Sequence, residues 1–235
     1  MVMHPRRART GRASDPRGGR HGERPAAAAP ARRRQRLPGA NLDSIGLVDS
    51  LSYWTFTDIF EEAGGGQLPF HGGFGMLTYH GVPKPTYHGY RFLGDELLAR
   101  NGEGAITRDS AGGAISALLY NYPAEVTQTV PASFDMRENA DRTLATGAAR
   151  STTVRVSGVA AGTRFRVELL SPESGNAIAR WHELGSPVNP SRDDIASIRE
   201  AAMDLRTWEV EAGEDGLDTA IDLPAWAVAL VTQIG

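Results

Sequence analysis

From about residue 103 onward the chain is built of short alternating runs. "GAITRDS", "GAISALLYNY", "STTVRVSGV", "TRFRVELL", "RTWEVEA", "TAIDLP" and "WAVALVTQI" are rich in β-branched and apolar side chains, and Gly or Asp turns separate them. Successive strand side chains point to opposite faces, so runs of this kind bury one face and solvate the other. Seven runs at this spacing predict an antiparallel β-sandwich over residues 101–235. One helix interrupts them. "SRDDIASIREAAMDL" puts Ile195, Ile198 and Ala202 on one face, with Ser191 as N-cap and Asp194 placed to complete a capping box.

Upstream the pattern changes. "DSIGLVDSLSYWTF" contains an apolar and aromatic run, Leu51 to Phe56, that reads as a strand buried on both faces. A Gly- and Pro-rich loop follows from Glu61 to about Pro85. In "PTYHGYRFLGDELLAR" the residues Tyr87, Tyr90, Phe92, Leu93, Leu97 and Leu98 recur at helical spacing, with Pro85 near the start. Strand, long loop and helix make one β/α unit over residues 41–100. The expected fold class is therefore α/β followed by all-β.

The chain of 235 residues has room for one or two domains, and 40% hydrophobic content suffices for a core. There is no cysteine, which excludes disulfides, thiolate nucleophiles and Cys-ligated zinc. No apolar run approaches the ~20 residues that a membrane-spanning helix needs. No apolar stretch follows the N-terminal arginines as a secretory signal requires. A cytoplasmic protein without a membrane partner is the expectation.

The net charge of −3 hides a division. Residues 1–40 hold eleven arginines against Asp15 and Glu23, while the remainder is acidic. Arg, Ala, Pro and Gly bury too little surface to offset the entropy of ordering, so this tail reads as disordered. Basic tails bind nucleic acid through counterion release, but no aromatic residue is interleaved here for base stacking. No nucleic-acid partner is expected. A transit peptide is disfavoured by scarce Ser and the missing apolar helix face. The exclusive use of Arg and the abrupt change near Asn41 favour a gene-model artefact, in which GC-rich DNA is read out of its proper frame.

The stretch with the most chemistry is "SYWTFTDIFEEAGGGQLPFHGGFG", residues 52–75. Sugar recognition uses flat apolar rings against C–H faces and carboxylates or amides against hydroxyls. Trp54 fits the first role, and Asp58, Glu61 and Glu62 the second. Adjacent Glu61 and Glu62 cannot both point inward along an extended chain. "FHGGFG" lets the backbone turn tightly beside such a pocket, with His71 as a donor to a hydroxyl or carboxylate. A plainer reading stands beside this one: Trp54 and Phe56 as strand core, Glu61–Glu62 as a solvated acidic pair. His71, His80 and His88 lack metal-ligand spacing, so neither a metal nor a cofactor is expected. The glycines do not form the G-x-G-x-x-G of a nucleotide site.

"SYWTFTDIFEE…PFHGGFGMLTYHGVPKPTYHGYRFL" resembles the last strand, loop and helix of the barrel in glycoside hydrolase family 39, nearest its bacterial β-xylosidase branch. "GNAIARWHELGSPVNPSRDDIASIREAA" is similar to a linking segment and helix of the same family's C-terminal sandwich. The resemblance covers about residues 45 to 235. It implies the last β/α unit of a (β/α)8 TIM barrel, followed by the sandwich, in a retaining glycosidase acting on xylosides or other glycosides. Two glutamates about 5 Å apart do such chemistry. The family carries them in an Asn-Glu-Pro motif and a Thr-Glu-(Phe/Trp)-Asn type motif, and neither occurs in this sequence. No catalytic residue is therefore assigned. By resemblance Trp54 lies beneath the sugar and Glu62 meets its hydroxyls, while Glu61, Asp58 and His71 shape the same wall. Xylosidases of this type can form homo-oligomers, and no residue here marks such a surface. The chain reads as a C-terminal fragment without activity of its own; the alternative is a non-catalytic carbohydrate-binding or structural sandwich module.

Overall fold

The computed structural model describes residues 2–3, 37–59, 66, 68–123 and 145–234. Two short strands, β1 (Val2–Met3) and β2 (Leu51–Ser52), pair antiparallel, Val2 opposite Ser52 and Met3 opposite Leu51. Helix α1 (Leu37–Ser44) lies between them in sequence. Val2–Met3 and the start of α1 are the parts of the 1–40 tail that the structure describes. Strand pairing uses backbone groups that composition does not register, and α1 crosses the expected boundary at residue 40. Residues 4–36 lie outside the described residues.

Helix α2 (Pro85–Arg91) starts at Pro85, whose fixed φ and missing N–H suit a first helical position. It is shorter than the spacing predicts. The chain leaves the helix at Phe92, and "ELLARN" becomes strand β3 (Glu96–Asn101), hydrogen-bonded to β4 (Gly104–Arg108). Gly94 lets the chain cross close to Thr107, where a Cβ would collide with that side chain. Tertiary pairing outweighs the helical spacing of Leu97 and Leu98, and the sandwich begins before residue 101.

The remaining six alternating runs also form strands: β5 (Ile115–Tyr120), β6 (Arg150–Val156), β7 (Arg164–Leu170), β8 (Arg206–Glu211), β9 (Leu217–Leu223) and β10 (Val228–Gln233). They build a six-stranded antiparallel sheet in the order β3-β4-β5-β10-β7-β8, faced by the pair β6-β9. Register explains the core. Ala229 of β10 stands opposite both Leu119 and Leu169, and Val231 opposite Ala117 and Val167. These residues pack on Val154, Leu217, Ile221 and Leu223 of the small sheet.

The alternate residues of the large sheet face the other way. Leu118, Leu170 and Val228 pack with Leu42 of α1 and with Phe92. Two further helices, α3 (Ile178–Glu183) and α4 (Arg192–Met203), sit between β7 and β8. The predicted capping box opens α4, with the Ser191 hydroxyl and the Asp194 backbone and carboxylate bonded reciprocally. The sandwich thus carries a helical layer on its outer face, and that layer holds the candidate site.

Candidate functional site

The segment after β2 is extended but not a strand buried on both faces. From Tyr53 to Thr57 burial alternates: Tyr53, Thr55 and Thr57 turn inward, while Trp54 and Phe56 turn outward and are 44% and 62% exposed. Backbone bonds clip the segment to residues 76–77, Met76 donating to Thr55 and Leu77 to Phe56, both at 3.0 Å. The Tyr53 hydroxyl donates to the Phe74 carbonyl at 2.6 Å. Its ring lies 5.4 Å from that of Tyr90 on α2. The plainer expectation of Trp54 and Phe56 as core therefore fails.

Asp58 is buried, 3% exposed, and its carboxylate is already engaged. Lys84 Nζ lies 2.6 Å from Oδ1 and 2.5 Å from Oδ2, and it also donates to the Gly73 carbonyl at 3.1 Å. The Gly75 amide donates to Oδ1 at 2.8 Å. A side chain at Gly75 would strike the Asp58 backbone, so this close approach requires glycine. Both carboxylate oxygens of Asp58 thus lie against Lys84. Beside it, burial and the Asp58 charge push the Tyr79 phenol up. Sequence reading missed Lys84. The available signal is that it is the only lysine in the chain.

His71 accompanies the turn, its Nδ1 bonded to the Leu68 carbonyl at 2.9 Å and its ring 6.3 Å from that of Tyr79. Glu61 and Glu62 lie outside the described residues. The structure thus brings Asp58 and the "FHGGFG" turn together through Gly73 and Gly75, with Trp54 on the clipped segment beside them. Among the described residues no group of three His, Asp or Glu is arranged to hold a metal ion, and no helix is long and apolar enough to cross a membrane.

The α3–α4 pair grips this wall. Phe70 stacks at 5.5 Å on Trp181 of α3, inside a cluster with Val82, Ile198 and Ala202. Arg199 donates to the His80 carbonyl at 3.0 Å. His88 Nε2 bonds the Ala202 carbonyl at 2.8 Å. On α2, Arg91 reaches Glu168 of β7 at 2.9 Å. These contacts set the position of an aromatic, glycine-rich wall against a rigid sandwich.

Residues 41–216 match glycosyl hydrolases family 39, and the chain belongs to that family. It is 32% identical over 195 residues to a beta-xylosidase of Geobacillus stearothermophilus, covering 78% of this chain and 33% of that protein. It is 34% identical over 163 residues to a beta-xylosidase of Caldicellulosiruptor saccharolyticus, covering 68% of this chain and 31% of the relative. The chain thus spans about a third of the length of these curated relatives.

Solved structures agree on the fold. The family 39 enzyme of Xanthomonas axonopodis pv. citri superposes with a TM-score of 0.70 at 24% identity, covering 91% of this chain and 42% of that one. A monomeric beta-xylosidase of Caulobacter crescentus gives 0.67 at 22% identity, covering 90% and 43%.

Proposed function

We propose that this chain is the C-terminal portion of a β-xylosidase-like retaining glycosidase and supplies one wall of its sugar site. Trp54 offers its ring to the C–H face of the sugar, and Glu62 its carboxylate to the hydroxyls, with Glu61 beside it. Asp58 and His71 hold the wall's shape. The observation that carries this reading is Trp54. It is turned outward on a segment fixed by backbone bonds to residues 76–77, within the region that matches the family.

The chain itself is inactive in this reading. Retaining hydrolysis needs a nucleophile and an acid/base glutamate about 5 Å apart, and the family motifs that carry them are absent from the sequence. Without them, covalent catalysis and leaving-group protonation are both lost. The purified chain is expected to show no turnover of an aryl β-xyloside. Turnover with contaminating enzyme excluded would overturn the assignment. Translation of the upstream DNA in all three frames tests the origin: Asn-Glu-Pro and Thr-Glu type motifs in another frame mark a broken gene.

A second reading is a non-catalytic carbohydrate-binding or structural module, favoured by the closed core between the two sheets. Xylose binding that survives loss of the Trp54 ring would support it over the first.

A further inference from the structure

A cavity of about 370 Å³ opens between the β3–β4 hairpin and β6, and no residue of the aromatic wall lines it. Strand register builds its floor. Ala99 stands opposite Ile106, Asn101 opposite Gly104, and Gly104 opposite Leu119, so these positions share one face of the large sheet. Leu119 turns that face toward the core between the sheets, yet Ala99 and Asn101 at its margin are exposed. The facing wall is β6, which pairs with β9 alone among the described residues. Thr152 and Val154 alternate inward along it. The volume lies near the lower end of the range for small-ligand sites, about 300–1,000 Å³.

Two polar atoms on β6 lack partners. Thr152 is 6% exposed, and its hydroxyl makes no hydrogen bond. Two residues earlier, Arg150 donates to the Tyr120 carbonyl and faces Glu103 at 3.4 Å, while its Nε is buried and unbonded. A buried polar group without a partner is costly, and native structures keep few of them. Asn101 adds directional donors. Its Oδ1 accepts from the amides of Glu103 and Gly104, at 2.8 and 3.0 Å, which fixes the side chain and leaves its NH2 group over. The charged residues lining the cavity each meet an opposite charge: Glu103 meets Arg150, Arg155 meets Asp218 and Arg100 meets Asp43. No countercharge is left for an ion, so the matching ligand is neutral.

We propose that this cavity is a non-catalytic sugar site, distinct from the wall, that takes xylose or xylobiose. Sugar hydroxyls meet the Thr152 hydroxyl and the Asn101 NH2 group. The C–H groups of the ring meet Ile106, Leu119 and Val154. No aromatic ring lines the cavity, so it offers no platform for a long stacked chain and suits one or two sugar rings. The choice of xylose rests on the β-xylosidase-like reading of the chain; the cavity itself does not.

Methyl and indole NMR of the full 235-residue chain, titrated with xylose and then xylobiose, tests the site. Signals of Thr152, Ile106, Leu119 and Val154 are expected to shift and to saturate in the millimolar range. Their movement without that of the Trp54 indole supports the cavity and counts against the wall. Movement of the Trp54 indole alone overturns the cavity and leaves the wall standing. No movement of the cavity signals overturns the proposal, and so do equal shifts with glycerol, which would mark a wet crevice without sugar recognition.

Thr152→Val keeps the shape and removes the hydroxyl. It should weaken binding about three- to tenfold and raise the unfolding midpoint of the sugar-free chain, because an unpaired buried group is gone. Ala99→Phe, at an exposed position, should fill the cavity and abolish the shifts, with circular dichroism confirming the fold. Binding left intact by both variants would place the sugar elsewhere and sink the idea.

Discussion

Lys84 is one lysine among 25 basic side chains, the others being arginine, and it is 1% exposed. A slender ammonium fits between the Asp58 carboxylate and the Gly73 carbonyl, where the broader planar guanidinium would need more room and more acceptors. Breaking such a buried pair leaves an uncompensated charge, which costs about 3–5 kcal/mol. Lys84→Met should lose stability of that order in urea unfolding, and an unchanged midpoint would show that the pair is not buried in solution. Amine acylation gives a second check: the native chain should label at its N-terminus only, and at Lys84 only after unfolding. The sequence carries half of this. A lone lysine between Pro83 and Pro85 is visible, but its partner lies 26 residues away and only folding joins them. The same count bears on residues 1–40, since arginine in place of lysine runs through the whole chain. What separates that tail is its lack of large apolar residues.

Elements held by local chemistry were the legible ones. Helix α4 follows from its apolar spacing and the Ser191–Asp194 box, both of which lie within a few residues of one another. Helix α2 was only half legible, because β4 captures the residues after Gly94. Its docking onto α4 is where pH acts. Burial pushes the His88 imidazole below its ordinary value of 6.5; Arg91 pushes the same way, while the Ala202 carbonyl and Glu168 oppose. The unfolded chain then binds a proton that the folded chain refuses. The stability held by neutral His88 is complete above about pH 6.5 and is lost as pH falls below it. Thermal melts between about pH 7 and 5 should show this slope. His88→Phe should flatten it while lowering stability at neutral pH through loss of the Ala202 bond. An unchanged slope would place the titration elsewhere; burial also pushes His80 down.

At the scale of the molecule the six-stranded sheet has apolar rows on both faces, one toward β6-β9 and one toward α1 and Phe92. "ISALLY" and "VALVTQ" are apolar on both faces in most of their length, the mark of strands covered on two sides. A chain shortened to residues 96–235 should therefore expose Leu118, Leu170 and Val228. Self-association in sedimentation is the expected result, and a stable soluble monomer would show that the cover supplied by Leu42 and Phe92 is dispensable. From the region 41–100, Leu42 and Phe92 pack directly on that second face.

Alternation and turn residues by themselves determined the seven strands, the capped helix α4 and the aromatic, glycine-rich stretch that marks the family. These rest on interactions between near neighbours and on the period of two, which any reading of the chain can recover. Tertiary structure alone decided that Asp58 pairs with Lys84, that Phe56 turns outward, and that "ELLARN" pairs as a strand. Each of these depends on what the chain brings alongside from a distance, and no local pattern encodes that neighbour.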